Sequence, residues 1–442
     1  MLKESGPIWN DFHGRLKRIP PFQNFGTISA VRNTCVQVRG LAAALGTRVR
    51  IHGGSGVIEG EVIHTDLQSI KVMPYENSEG LAPGMRVDVG SDSFHLYPHA
   101  RWKGRVIDPW GKVLDSNGPL PLGTQPYTMK ASPPPAYERD RLGPVLDLGL
   151  RSLNTFIPCC QGQRLGIFAG SGVGKSLLIS QMARLSACDV VVIGCVGERG
   201  REVKDFLHDH LPATQRENSV IVVGTSDQSA LVRRQTAYTT LTVAEYFRDQ
   251  GASVLCILDS VTRFAMAQRE IGLSAGEMPT TRGYPPSVLA ELSRLLERAG
   301  PGKPGQGSIT GFFTVLVEGD DMNEPIADAV RSILDGHIVL DRRIAERARF
   351  PAIDVLRSLS RTATQCQTPD QRQDISAARG WLSLYQDMED LIRMGAYRPG
   401  QSADVDQSIA YFEKLEKFLA QDLGERASLA ESFAQLHRIL HP

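Results

Sequence analysis

Apolar spacing divides the chain into segments of different texture. In residues 1–20, Ile8, Trp9, Phe12, Leu16 and Ile19 fall near helical spacing, with Arg15, Lys17 and Arg18 between them. That pattern predicts a short amphipathic helix, which either packs on its own domain or docks a partner. Residues 21–95 change to short β-type runs: Thr47–Ile51, Val57–His64, Ile70–Pro74 and Met85–Val89. Gly53, Gly54, Gly56 and Gly60 supply turns between the first two, and strands of this length and spacing predict a small β-barrel. Residues 96–150 read as a connector, with one candidate hairpin at Trp102–Leu114 and an extended stretch at Pro133–Pro135. In residues 151–370, the runs Arg164–Phe168, Val190–Val196, Ser219–Val223, Val254–Leu258 and Thr310–Val317 alternate with helical stretches. Runs this apolar suit strands covered on both faces of a parallel sheet. Residues 371–442 turn helical, with candidates at Trp381–Met394, Val405–Leu423 and Leu429–Ile439. The expected fold class is α/β: a parallel-sheet core between an N-terminal β-barrel and a C-terminal helical domain.

Composition narrows the class further. The 442 residues are 41% hydrophobic, enough for a large core, which excludes a disordered or fibrous chain. Lys plus Arg and Asp plus Glu both number 49, a balance that argues against a general polyanion binder. Seven cysteines without a C-x-x-C suggest neither a disulfide frame nor a thiolate metal site, and point to a reducing compartment. The first residues lack an apolar signal core, and no run of about eighteen apolar residues occurs.

The strongest local chemistry is Gly166-Ile167-Phe168-Ala169-Gly170-Ser171-Gly172-Val173-Gly174-Lys175-Ser176, which follows an apolar strand and opens a helix at Leu177. This is the context of a phosphate-binding P-loop. Its glycines let successive N–H groups turn toward one anion, and the helix N-terminus adds its positive end. Gly170, Ser171, Gly172, Val173 and Gly174 are therefore candidate nucleotide-binding residues. Lys175 is placed to reach the β- and γ-phosphates and Ser176 to hold Mg²⁺. One departure stands out: Ala169 occupies the position of the motif's first glycine.

Binding phosphate is not hydrolysis, which needs a group that activates water. The run Val190–Val196 leads into Gly197-Glu198-Arg199, so Glu198 sits at the mouth of a buried strand. A surface turn of mixed charge is the alternative reading of that string. Val254–Leu258 ends in Asp259, a Walker-B candidate that orders Mg²⁺ if its strand lies beside the P-loop strand.

These strings, together with Asp259-Ser260-Val261-Thr262-Arg263-Phe264 and Pro351-Ala352-Ile353-Asp354-Val355-Leu356-Arg357-Ser358-Leu359-Ser360, resemble the ATPase α/β family. That family includes rotary ATP synthase subunits and type III export ATPases, and the resemblance runs from about residue 24 to the end. Within it the chain is most similar to the flagellum-specific export ATPases: the loop Ala169–Ser176 is similar to the flagellar form, while Ala265–Gly272 and Arg282–Val288 are similar to export ATPases generally. The string Asp320-Asp321-Met322-Asn323-Glu324-Pro325 is instead similar to virulence-secretion relatives. The resemblance implies a RecA-like P-loop core, a Mg-dependent ATPase that translocates protein, and a homo-hexamer with ATP between subunits. By motif position it implies that Glu198 polarises the attacking water, with Arg199 and Arg263 near the phosphates. It further implies that Arg361 reaches into the neighbour's site and that Phe350 stacks on adenine. The residue types alone leave Phe350 equally open to core packing. The resemblance places a stalk-like partner in a central pore lined by Arg269–Pro286 and an export-apparatus regulator at residues 1–20. Export substrates, chaperones and a membrane-embedded export gate complete the implied partners, with the chain cytoplasmic at the inner face of a bacterial membrane and no nucleic acid involved.

Four functions compete: an export ATPase (flagellar, or of the virulence type), a rotary synthase subunit needing a second chain, an RNA translocase, and a scaffold that binds ATP without turnover. The charge balance and the lack of an aromatic-basic platform disfavour RNA. An intact Glu198 speaks against the scaffold. Two further features read as bland: His208 and His210 as a solvated helix end, and Arg233-Arg234 as a solvated or intersubunit face.

Overall fold

A computed structural model describes residues 24–441 except 55, 91–94, 318, 320, 321 and 323. The helix expected at 1–20 lies outside the described residues, as do Asp320, Asp321 and Asn323 of the Asp320–Pro325 string. The described chain forms two compact units.

The first unit ends at residue 92 and also includes Ile271–Glu277. Six strands, β1 (Phe25–Val31), β2 (Val36–Arg39), β3 (Arg48–Gly53), β4 (Gly56–Thr65), β5 (Ile70–Pro74) and β6 (Arg86–Val89), close into a barrel in the order β1-β2-β5-β4-β3-β6. Period-two alternation drives the closure. Val49 and Ile51 of β3 point inward and are fully buried, while Arg50 and His52 point outward and share the Asp88 carboxylate. Within the same unit, Lys71 donates its Nζ to the Ala275 carbonyl at 2.9 Å.

The second unit holds a sheet of nine strands. Eight lie side by side: β7 (Val106–Ile107), β8 (Arg164–Ala169), β9 (Val190–Glu198), β10 (Ser219–Thr225), β11 (Ser253–Asp259), β12 (Ser308–Leu316), β13 (Gly336–Leu340) and β14 (Ile353–Ser360). Their order is β14-β13-β8-β12-β11-β9-β10-β7, parallel except for β14. Gly300–Pro301 pairs antiparallel with β12. Helices α1 (Lys175–Leu185), α2 (Ala230–Asp249), α3 (Val261–Ala275), α4 (Pro286–Leu296) and α5 (Pro325–Ile333) alternate with the strands. The three last, α6 (Pro369–Arg393), α7 (Ala403–Leu419) and α8 (Leu429–Leu440), form the C-terminal bundle. Thr368 with Gln371 and Ser428 with Glu431 each make a capping box, which fixes where α6 and α8 begin.

The structure adds detail to two expectations and changes one. The hairpin expected at Trp102–Leu114 is closed by the Ile107–Val113 bridge; its strand β7 extends the edge of the sheet beside β10, and Trp102 is buried in that core. The C-terminal helical bundle packs on the sheet, since Ile375, Leu382, Phe418 and Leu436 share one apolar cluster with Ile353, Val355 and Leu165. Finally, Cys160 and Cys366 are joined as a disulfide although the spacing suggested none, because the fold returns the segment after β14 to the start of β8 across 206 residues. Among the described residues, no helix is long and apolar enough to cross a membrane.

Candidate nucleotide site

The site is built at the carboxyl ends of β8, β9 and β11, where a parallel sheet leaves strand-end loops and helix N-termini around one cleft. β8 ends at Ala169, which is a buried strand residue paired with Leu316 and Leu340. An alanine in place of the motif's first glycine is thus no obstacle, since a strand residue needs no positive φ. The left-handed turns come later, at Gly172 (φ 77°) and Gly174 (φ 92°), where a Cβ is disfavoured. Lys175 then opens α1. Gly170, Ser171, Gly172, Gly174, Lys175 and Ser176 line a cavity of about 910 Å³. Val173 does not: its side chain is 1% exposed and packs into the sheet core, so only its backbone can face a ligand.

Glu198 reaches the cavity through a bulge. The register between β9 and β10 shifts between Val196 and Glu198, and Gly197 takes φ 67° there. A Cβ on Gly197 would stand 3.2 Å from Arg263 Cβ and 3.3 Å from Arg233 Cδ, so the close approach also requires glycine. Asp259 ends β11, next to β9, and accepts a 2.7 Å hydrogen bond from Thr314 Oγ1. β12 lies between β11 and β8, so the acid strand is one place removed from the P-loop strand rather than directly beside it.

Lys175 joins these parts. Its Nζ lies 2.5 Å from Asp259 Oδ1 and 3.3 Å from Glu198 Oε1, with all three side chains 11–13% exposed. Burial and the nearby Asp259 charge push the Glu198 carboxyl up to about 7, with Lys175 pulling the other way. For Lys175 burial opposes the charge, but Asp259 and Glu198 outweigh it and hold the ammonium above its ordinary range. Two carboxylates facing one ammonium make a site that can hand a proton on and off near neutral pH.

The remaining candidates divide. Arg199 and Arg263 line the same cavity; Arg199 is three-quarters exposed beside Glu202, whereas the Arg263 Nε is buried without a hydrogen bond among the described residues. The Phe350 ring is 39% exposed and lies over the end of the P-loop, its Cε1 3.3 Å from where a Cβ on Gly174 would stand. It is therefore not a core residue.

Arg361 is elsewhere. β14 runs antiparallel to β13, so Ser360 pairs with Gly336 at the amino end of the sheet, and Arg361 follows there with its N–H on the Asp335 carbonyl at 2.9 Å. The P-loop lies at the opposite end, so Arg361 cannot serve the site of its own chain.

Sequence reasoning missed Arg342, whose Nη2 donates to the Ser171 carbonyl at 3.3 Å. It also missed the cavity roles of Arg269, Arg282 and Tyr284, within the segment expected to line a pore. No local motif marks Arg342, which follows the carboxyl end of β13, where Leu340 pairs with Ala169 beside the P-loop. The bland reading of Arg233-Arg234 also changes. Arg233 pairs with Glu270 at 2.7 Å, and Arg234 is buried, its guanidinium over the Tyr238 ring.

A strand, a left-handed glycine loop, a lysine opening a helix and two strand-end acids define a P-loop ATPase core. The comparisons with known proteins agree. Residues 149–360 match the ATP synthase alpha/beta family, nucleotide-binding domain, and residues 367–438 match the T3SS EscN ATPase C-terminal domain. The flagellum-specific ATP synthase of Caulobacter vibrioides is 51% identical over 433 residues, covering 96% of this chain and 98% of that protein. That of Bacillus subtilis is 46% identical, covering 94% and 95%. Among solved structures, the assembled ATPase EscN from the enteropathogenic E. coli type III secretion system superposes with a TM-score of 0.88 at 38% identity, covering 94% of this chain and all of that one. EscN in complex with its central stalk EscO gives 0.85 at the same identity and coverage. The chain belongs to the ATP synthase alpha/beta family, among its flagellum-specific ATP synthase members, and is an ATPase.

Proposed function

We propose that this chain hydrolyses ATP in a homo-hexamer whose sites lie between neighbouring copies, and that the hydrolysis energises type III export of flagellar proteins. The observation that carries the chemistry is the Lys175 ammonium held between Glu198 and Asp259 beneath the P-loop. The residues present fit Mg²⁺: Ser176 and Asp259 offer hard oxygen donors on one cavity, and the ammonium resting on Asp259 marks that carboxylate as a seat for positive charge. When bound, Mg²⁺ neutralises charge on the β- and γ-phosphates.

The chain's own residues supply the rest. The N–H groups of the loop from Gly170 to Gly174 cradle phosphate oxygens, and Lys175 leaves the two acids to meet the γ-phosphate. Glu198, poised near neutral pH, orients the attacking water and accepts its proton. Arg199 and Arg263 add positive charge along the phosphates, and Phe350 offers a face for the adenine ring. Arg361 enters the neighbour's site as an arginine finger, which contributes about 10³-fold or more to the rate. Its position at the far end of its own sheet supports this role in trans.

The flagellar assignment is supported by identities of 51% and 46% to flagellum-specific relatives, against 38% to the virulence-type EscN. One chain carrying the P-loop, Glu198 and Arg361 can complete every site by itself, which disfavours a synthase needing a second subunit type. A stalk-like partner in a central pore near Arg269–Pro286 follows from the EscN–EscO complex by analogy. A regulator at residues 1–20, export substrates with their chaperones, and a location at the cytoplasmic face of the membrane beside the export gate belong to the same reading.

The test is ATP hydrolysis against protein concentration with Mg²⁺ present. Specific activity should climb with concentration, and Arg361→Ala mixed with Lys175→Ala should recover some turnover, because certain mixed interfaces are complete. Undiminished activity of Arg361→Ala by itself would refute the shared site.

A further inference from the structure

His437 lies in the last turn of α8 and His441 caps that helix, its N–H on the His437 carbonyl at 2.9 Å, which sets the two rings one turn apart. Both imidazoles converge on Asp374 of α6. His437 Nδ1 lies 2.9 Å from Asp374 Oδ2, and His441 Nε2 lies 3.0 Å from Asp374 Oδ1. The carboxylate is buried, only 7% exposed, and gives one oxygen to each ring, while both rings are more than half exposed. The three ligand atoms lie within 4.8 Å of one another. Among the described residues this is the one group of three such side chains arranged to hold a metal.

We propose that Asp374, His437 and His441 form a binding site for a borderline divalent cation of the zinc class, which pins α8 to α6. Two imidazole nitrogens and one carboxylate oxygen suit Zn²⁺, Co²⁺ or Ni²⁺ and not the all-oxygen preference of Mg²⁺ or Ca²⁺. Three protein ligands leave a fourth, water-filled position open. Ligands about 2.0–2.2 Å from zinc stand roughly 3.3 Å apart in a tetrahedron, so the carboxylate contacts open by a few tenths of an ångström as the rings draw together. The exposure of both rings permits that movement. The C-terminal end of α8 adds negative potential at the same point. On binding, the N–H that each ring directs at Asp374 gives way to a lone pair on the liganding nitrogen, and the remaining ring proton sits on Nε2 of His437 and on Nδ1 of His441. The site is independent of the nucleotide cleft, which is built from other elements.

The full chain, with any purification tag removed and stripped by chelator, is titrated with Co²⁺ in excess Mg²⁺ and followed by visible absorption, then by Zn²⁺ competition against a chromogenic chelator. The expected result is one equivalent of zinc bound at low-micromolar affinity or better, and a higher melting temperature with zinc than without. His441→Ala and Asp374→Asn should each weaken binding by about tenfold or more. His441 is exposed at the helix end, so its variant keeps the fold, which circular dichroism checks. Absence of any zinc bound at tens of micromolar, or a full equivalent retained in His441→Ala, overturns the site.

Discussion

Two buried groups of charge in the larger unit are built on opposite terms. Behind the sheet, Arg298 and Glu245 are 2% and 6% exposed and meet in a bidentate pair at 2.7–2.8 Å. The guanidinium also donates to the Met129 carbonyl at 2.8 Å and to Thr242 Oγ1 at 2.9 Å. One positive and one negative charge cancel, and the donors are used. At the nucleotide cleft, Lys175 faces both Glu198 and Asp259, so one positive charge meets two acids. Burial first, and then the excess acid at Asp259, raise the proton affinity of Glu198 to about 7. A balanced group serves to tie residues 129, 245 and 298 together. An unbalanced one is prepared for ligands that arrive with their own charge.

Removing the acid from the unbalanced group should have the largest effect. Glu198→Gln should lower turnover by about 10²–10⁴-fold, equivalent to about 3–5 kcal/mol of transition-state stabilisation, with ATP binding kept. Wild-type-like turnover in steady-state assays removes Glu198 from the chemistry. Next is Glu245→Ala, which strands a buried guanidinium and should cost about 3–5 kcal/mol in denaturant unfolding. Lys175→Ala in the nucleotide-free protein should cost clearly less, because Glu198 can take up a proton where Arg298 cannot lose one. Equal costs for the two variants would break the contrast.

The pH dependence sharpens it further. Glu198 has a folded-state affinity near 7 against about 4.5 for a free glutamate, so its stability contribution is full below about 4.5 and is lost as pH rises through 7. Nucleotide-free Glu198→Gln should therefore be more stable than wild type at pH 8, by about 1–3 kcal/mol, with the difference vanishing below pH 4.5. A melting-temperature difference that stays constant across pH contradicts the burial argument. The smallest effect belongs to charge in water: Arg201→Ala removes a 91%-exposed partner of Asp205 and should change stability by less than about 0.5 kcal/mol.

The legible parts of the site were contiguous in sequence. Gly170 to Ser176 is a loop whose chemistry is written in neighbouring residues, and Glu198 and Asp259 were visible as acids closing apolar runs. Of the sheet strands, β7 fell within the expected hairpin at Trp102–Leu114, which the Ile107–Val113 bridge closes, whereas β13 and β14 were not foreseen; β13 is five residues long, and β14 carries exposed Arg357 and Leu359 among buried neighbours. β7 takes its place through edge pairing with β10, more than a hundred residues away in sequence, whereas β14 pairs with the preceding β13. Val173 was assigned to the ligand with its neighbours, yet its side chain turns inward, because the apolar core beneath the loop takes it up.

By itself the sequence determined the order of a barrel, an α/β core and a helical end, because periodicity and local motifs act over a few residues. It also determined the kind of chemistry, since a phosphate loop needs only glycines, a lysine and a hydroxyl in one short stretch. Tertiary structure alone decided which distant groups meet. It set Lys175 between two acids from separate strands, brought Arg342 and Phe350 back to the P-loop, and carried Arg361 to the opposite end of the sheet. It joined Cys160 to Cys366 and turned both His437 and His441 onto Asp374. Those contacts depend on strand order and helix packing, which are fixed by burial over the whole core and leave no trace in local spacing.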